Sequence, residues 1–185
     1  QFINLPFSIY KNSSLWVPQL ESEMKLVMNR QRHPFYRHSD ADFFLVEDNG
    51  KALGRIAVLE NKNYNNFHNL KTAFFYYFEC IEDVNVARLL FGAAFEWARW
   101  RGLNQITGPK GFTRSSGLGM LVDGFEFRPA IGIPYNYPYY EPLVRDSGFE
   151  KWVDHYSGIL HRGHQIPDTI HQIAEKVKAR SGFWI

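Results

Sequence analysis

The segment Thr72–Cys80 reads TAFFYYFEC, and its single carboxylate, Glu79, closes a run of aromatic residues. Poor solvation among Phe and Tyr side chains raises a carboxylate's pKa, and a general base working near neutral pH needs that property. The same residue at a sheet edge or surface would simply pair with a nearby Lys or Arg. The sequence leaves both readings open. A second candidate is the long connection Gly108–Gly124, where Lys110, Thr113, Arg114, Ser115 and Ser116 could hold an anionic substrate group. Its glycines follow neither the Walker-A nor the dinucleotide pattern, so a plain connecting loop is the alternative. The seven histidines form no metal-ligand set: His161 and His164 in HRGH lack a second pair, and no metal is expected. Cys80 has no nucleophile signature and reads as buried filler.

The elements that must position these residues follow from periodicity. FINLPFSIYKN places Phe2, Leu5 and Ile9 at helical spacing. VPQLESEMKLVMNRQ continues as a second helix, with Pro18 at its first position and Leu20, Met24 and Val27 on its buried face. A polar connection, 33–39, leads to a hairpin of Phe43–Glu47 and Ala52–Leu59 around Asp48-Asn49-Gly50. NKNYNNFHNLK reads as a loop. The strand at 72–80 is apolar on both faces. That predicts an interior position for Phe74–Phe78, with Ile56 and Val58 on a neighbouring strand.

A helix follows, with Ala87, Leu90, Phe91, Ala94, Trp97 and Ala98 as its stripe and Gly102 as its stop. LNQITGP is a further strand, YNYPYYEPLVRDSGF a short helix closed by Gly148, and KWVDHYSGIL a strand. PDTIHQIAEKVKARSG is an amphipathic helix capped by Asp168 or Thr169 and ended at Gly182. The order predicts an α/β fold, a mixed central sheet with flanking helices.

Composition bounds the possible functions. The chain has 185 residues, of which 45% are apolar and 17% aromatic, enough for one globular domain with a sizeable core. The aromatic excess means an aromatic core or a binding surface. With 21 basic and 19 acidic residues the net charge is +2, and no basic stripe indicates nucleic acid. One cysteine excludes an internal disulfide and fits a reducing compartment. No apolar run reaches roughly 18 residues and no signal-peptide pattern is present, so a cytoplasmic protein without a membrane partner is expected. The start at Gln1 and the apolar end SGFWI predict a piece of a longer protein.

The element order resembles the GNAT superfamily of N-acyltransferases. LGRIAV, at 53–58, looks like that family's third strand. VARLLFGAAFEWARWRGL, at 86–103, resembles its cofactor helix, and YYEPLVRDSGF, at 139–149, its fourth helix. The resemblance covers 1–160, with the family's first strand falling before Gln1. Residues 161–185 look like a linking helix and the start of a second domain, as in two-lobed bacterial proteins of this kind. It implies a GNAT-like fold and acyl transfer to an amine from acyl-CoA, commonly acetyl-CoA. It also implies that Glu79 takes the amine's proton and that the donor's pyrophosphate sits at Asn85, Val86, Ala87 and Arg88.

Two positions depart from the family. Glu82 stands where it has Arg or Gln, and Asn85 where it has the first Gly; only Ala87 conforms. Phosphates at a helix start are received by backbone N–H groups. Like charges about 4 Å apart cost on the order of 1–4 kcal/mol, so Glu82 and Asp83 oppose such a ligand. As a plain helix start, the two acids complement the helix dipole. The family's proton-donating tyrosine is replaced by Val144. Tyr139 and Tyr140, one turn earlier, are either substitutes for it or packing residues.

Two functions follow. One is an N-acyltransferase acting on a small-molecule amine, with an aminoacyl-tRNA donor also open because similar two-lobed transferases use one. The other is a non-catalytic lobe that shapes a substrate cleft or mediates homodimerisation, for which Tyr135, Tyr137, Tyr139 and Tyr140 suit an interface.

Overall fold

The computed structural model describes residues 1–113, 116–158, 161–163 and 165–180. The chain divides into two compact units, Gln1–Trp152 and Val153–Ile185. The first is an α/β unit holding a mixed four-stranded sheet in the order β1 (Asp40–Asp48), β2 (Lys51–Glu60), β3 (Thr72–Cys80), β4 (Gln105–Thr107). Around it lie the helices α1 (Leu5–Ile9), α2 (Glu21–Met28), α3 (Lys62–His68), α4 (Val84–Trp100) and α5 (Tyr140–Asp146). The second unit contains α6 (Asp168–Lys178). Among the described residues, no helix is long and apolar enough to cross a membrane.

β1 and β2 pair antiparallel through a two-residue turn in which Asn49 (φ 48°) and Gly50 (φ 76°) are both left-handed. That geometry matches the strands' own twist. β3 pairs antiparallel with β2 and parallel with β4, but β4 reaches only Thr72–Phe74, so of the expected interior stretch Phe74–Phe78 only the start has a strand on both sides. The parallel pair needs a crossover, and α4 supplies it. The expected stripe of α4 is buried throughout. It packs closely on β2 at Gly54, where a Cβ would lie 2.8 Å from both Leu90 Cδ1 and Val86 Cγ1. The far end of α4 is tied to β1: Arg101 Nη2 meets Asp40 Oδ2 at 2.6 Å, and Trp97 Nε1 donates to Asp42 Oδ2 at 2.6 Å.

Two apolar clusters cover the two faces of the sheet. Ile56, Val58, Ala73 and Phe75 face α4, while Ala57, Leu59, Phe74 and Tyr76 face Phe2, Phe35 and Phe112. Beyond Tyr76 the alternation in β3 changes parity. Between the pairs Arg55↔Glu79 and Ala57↔Tyr76, β2 advances two residues and β3 three, and Tyr77 sits at φ 52°. This is a β-bulge, with one extra residue in β3. It returns Phe78 and Cys80 to the α4 face and leaves Glu79 directly opposite Arg55.

Several segments differ from the sequence expectation. NKNYNNFHNLK contains α3 rather than only loop: Asn61 Oδ1 accepts the Tyr64 N–H at 3.0 Å as its cap, and Asn69 closes it at φ 54°. The asparagines that read as loop residues are acting as helix ends. α2 begins at Glu21 with Leu20 as its cap, so Pro18 lies ahead of it and Leu20 is 56% exposed; Met24 alone of the helix is buried. The connection 33–39 holds a 3-10 turn, Pro34–Arg37. Residues 151–158 form no strand, and no described strand pairs with them; Trp152 is 75% and Tyr156 95% exposed. Ile159, Leu160 and Gly182 lie outside the described residues. α6 is capped by Pro167, without a side-chain hydrogen bond from Asp168 or Thr169.

Candidate functional site

β4 pairs with β3 only over Thr72–Phe74. Lys110 N–H then donates to the Phe75 carbonyl at 2.8 Å, and the chain leaves the sheet. Gly108 marks the turn, because a Cβ there would lie 2.5 Å from Phe75 O. Past this point β3 continues without a β4 partner, and a cleft of roughly 880 Å³, counted out to open solvent, opens beside it. One wall is the N-terminal segment with Ile3, Phe7, Trp16 and Met24; the other is the 119–136 loop with Met120, Ile133 and Tyr135. Arg55, Glu79 and Tyr140 also line it. Buried Asn136 clamps the loop by bonding both the N–H (2.7 Å) and the C=O (3.0 Å) of Leu121. The Tyr76 hydroxyl accepts from Gly117 N–H at 3.0 Å and so holds the same loop to β3.

Glu79 is the chemical centre of the cleft. Its Oε2 accepts from the Tyr140 hydroxyl at 2.7 Å and from the Tyr10 hydroxyl at 2.8 Å. Its Oε1 lies 3.8 Å from Arg55 Nη2 and has no hydrogen bond to any described residue. The side chain keeps 15% of its exposure. Burial raises the Glu79 pKa; Arg55 and the two tyrosine hydrogen bonds oppose that shift without cancelling it. Arg55 is itself buried, at 2% exposure, and burial lowers its pKa. It donates to the Phe2 carbonyl at 2.7 Å, and its guanidinium lies 5.0 Å from the Phe2 ring and 5.4 Å from the Tyr77 ring. Its Nε has no partner among the described residues. A buried ion pair with this second set of contacts is a rigid arrangement, and removing either partner strands the other.

The sequence candidates separate in space. Tyr140 meets Glu79, and burial and the Glu79 charge raise its pKa far above the ordinary phenol value. Tyr139 turns away, donating to the Cys80 carbonyl at 2.8 Å. Tyr135, Tyr137 and Tyr139 are half-buried, and the first two pack on Tyr10 (centroids 6.0 and 5.1 Å). Burial pushes the Cys80 thiol up to about 12, which keeps it protonated. Lys110 lies 4.0 Å from the Tyr64 ring centroid and 4.5 Å from that of Phe74, and Thr113 is exposed with its backbone N–H donating to Ser116 Oγ at 3.1 Å. Arg114, Ser115 and His164 lie outside the described residues. Among the described residues no three His, Cys, Asp or Glu side chains group as a metal site.

The start of α4 is filled by the protein itself. Asp83 caps the helix, its Oδ1 accepting the Asn85 N–H at 2.8 Å. Val86 and Ala87 are buried in the core, and Asn85 and Arg88 are exposed. A pyrophosphate here would have to displace one carboxylate and approach another, Glu82, which is exposed. These residues do not fit the pyrophosphate of an acyl-CoA.

Sequence reasoning missed Tyr10 and Arg55. Arg55 left a signal: a charged residue inside the apolar strand LGRIAVL must be buried with a partner or face solvent. Tyr10 left none, because its partners are remote in sequence.

Fold and site together define an α/β protein with a mixed four-stranded sheet and a cleft, apolar and polar in turn, lined by a largely buried carboxylate. No family model matches the chain, and no solved structure matches it. Two curated proteins do. The chain is 27% identical over 153 residues to Protein YghO of Escherichia coli K12, across 83% of this chain and 39% of that protein. It is 27% identical over 155 residues to the bacterial ceramide synthase of Caulobacter vibrioides, across 83% and 40%. The chain thus spans about two fifths of the length of these curated relatives.

Proposed function

We propose that the chain is the catalytic lobe of an N-acyltransferase with a GNAT-like fold, acting on a long-chain amine, with Glu79 as general base. The carrying observation is the Glu79 carboxylate in the cleft, with Oε2 held by two hydroxyls and Oε1, 3.8 Å from Arg55 Nη2, without a hydrogen bond to any described residue. In this reading the amine nitrogen attacks the acyl carbonyl carbon and forms the C–N bond. Its proton passes to Glu79 Oε1, and the bond from the acyl carbon to its leaving group breaks, the leaving group departing as an anion with that bond's electron pair. A raised pKa suits a base that must accept a proton near neutrality and release it again.

The acceptor class is supported by the cleft and by one relative's name. Ile3, Phe7, Trp16, Met24, Met120 and Ile133 give its walls apolar stretches, which suit an aliphatic chain. A ceramide is an N-acylated long-chain amino alcohol, and a relative named for its synthesis fits such an acceptor. A cytoplasmic location belongs to the same proposal. No donor contact is assigned to α4, since Asp83 occupies its start.

The test uses the full-length protein with long-chain acyl donors and a long-chain amino alcohol, the amide product being measured by mass spectrometry. The expected result is an amide that Glu79→Gln abolishes or nearly so. Full activity in Glu79→Gln overturns the reading. It would favour a second one that the self-capped α4 supports, a lobe that shapes the cleft while chemistry takes place elsewhere in the full-length protein.

A further inference from the structure

We infer that Tyr10 is the positioning residue for Glu79, gripping Oε2 so that Oε1 is the oxygen offered to the substrate. The inference rests on the reading of Glu79 as the base. Glu79 Oε2, Tyr10 OH and Tyr140 OH form a triangle with edges of 2.8, 2.7 and 3.0 Å. Two hydroxyl hydrogens serve three edges. With the carboxylate ionised, both hydrogens point at Oε2, because charge-assisted bonds outweigh a bond between neutral hydroxyls. The Tyr140 oxygen also receives the Cys80 N–H at 3.3 Å, which leaves its own hydrogen for the carboxylate. For the Tyr10 hydrogen, the remaining alternative is the Tyr135 carbonyl at 3.4 Å, a poorer acceptor. Oε2 is therefore saturated, while Oε1, 3.8 Å from Arg55 Nη2, accepts no hydrogen bond from a described residue.

Tyr10 acts only through Glu79. It is 1% exposed and lies behind the cleft lining, whereas Tyr140 is part of that lining. Its ring stacks on Trp16 at 5.1 Å and 20°, and packs on Tyr137 at 5.1 Å, so the hydroxyl is held in place. Trp16 is itself a wall residue, so the wall of the cleft rests on the group that aims the base. The other titratable or charged groups around Glu79 are Arg55 from β2, Tyr76, Tyr77 and Cys80 from β3, Tyr139 just before α5 and Tyr140 from α5. Among the described hydroxyls, only those of Tyr10 and Tyr140 bond the carboxylate.

Tyr10→Phe keeps the ring and its stacking and removes the grip. A hydrogen bond to the ionised carboxylate lowers its pKa, so losing it raises the Glu79 pKa further. Activity that needs ionised Glu79 then begins at higher pH. The experiment is the pH profile of kcat/KM for the full-length protein, wild type against Tyr10→Phe, with Glu79→Gln alongside. The expected result is a fall of roughly tenfold carried by kcat rather than KM, with the acid limb moved up by about one pH unit. Site-specific 3-fluorotyrosine at position 10, a stronger donor in a nearly unchanged shape, should move the limb the opposite way. It serves as the test where Tyr10→Phe does not fold. An unmoved limb in both variants, with Glu79→Gln inactive, overturns the positioning role and leaves the base standing. A fully active Glu79→Gln overturns both.

Discussion

Glu79 and Asp83 stand four residues apart and do opposite work. Asp83 bonds the N–H two residues ahead and finishes a helix. Glu79 bonds hydroxyls 69 and 61 residues away and faces an arginine on the neighbouring strand. Asp83 is only half-buried, and a plain capping role accounts for it. Glu79 sits among aromatic rings, has its pKa raised by burial, and lines a cleft. The comparison teaches that a carboxylate's chemistry follows from how far its partners lie. A partner within one turn makes a cap; partners from three other elements make a poised group.

The sharpest way to break the comparison is to remove the distant partner. Arg55→Met should cost about 3–5 kcal/mol in urea unfolding, because a buried carboxylate is left without its opposite charge. A loss under about 1 kcal/mol would mean that Glu79 is hydrated in the folded protein. Next comes Glu79→Gln, expected to lower turnover of the full-length protein by a factor of about 100, or about 2.7 kcal/mol.

The same variant carries a stability signature of known sign. Folded Glu79 holds its proton to higher pH than unfolded Glu79, so the wild type loses stability as pH rises from the ordinary carboxylate range through the raised folded value. The stability of Glu79→Gln relative to wild type should therefore improve across that window, read by chemical denaturation at a series of pH values. A flat difference would show that Glu79 is not shifted.

Smaller effects probe the local side. Gly54→Ala forces a methyl against Leu90 and Val86 and should cost about 1–3 kcal/mol in thermal or chemical unfolding. Asp83→Ala should cost about 1 kcal/mol of stability and leave turnover unchanged, as a cap would and a catalytic acid would not. For the donor, calorimetric titration of the wild-type chain with acetyl-CoA should show no micromolar binding, because Asp83 occupies the start of α4. Micromolar binding by the wild type would show that the Asp83 cap yields to pyrophosphate.

Much of the frame was legible before the structure. The β1–β2 hairpin was carried by Asn49-Gly50, the interior place of β3 by its doubly apolar faces, and the buried stripe of α4 by its period. Each of these depends on residues within a few positions of one another. α3 was misread because asparagine suits loops and helix ends alike, and which it serves depends on Asn65 bonding Thr72 across the turn. The strand expected at 151–160 was misread for a related reason. Its pattern was right for a strand, but a strand exists only with a partner beside it.

By itself the sequence determined the element order apart from α3 and the absent strand at 151–158, the apolar faces, the turn at Asn49-Gly50 and the acid-rich start of α4, since local backbone preference and side-chain period settle these. Only the tertiary structure decided which way Glu79 points. One extra residue at Tyr77 reverses the alternation of β3, puts Glu79 opposite Arg55, and lets Tyr10 and Tyr140 close on a single oxygen. A bulge is a property of two strands in register, and a hydrogen bond between residues 10 and 79 exists only once the chain has folded.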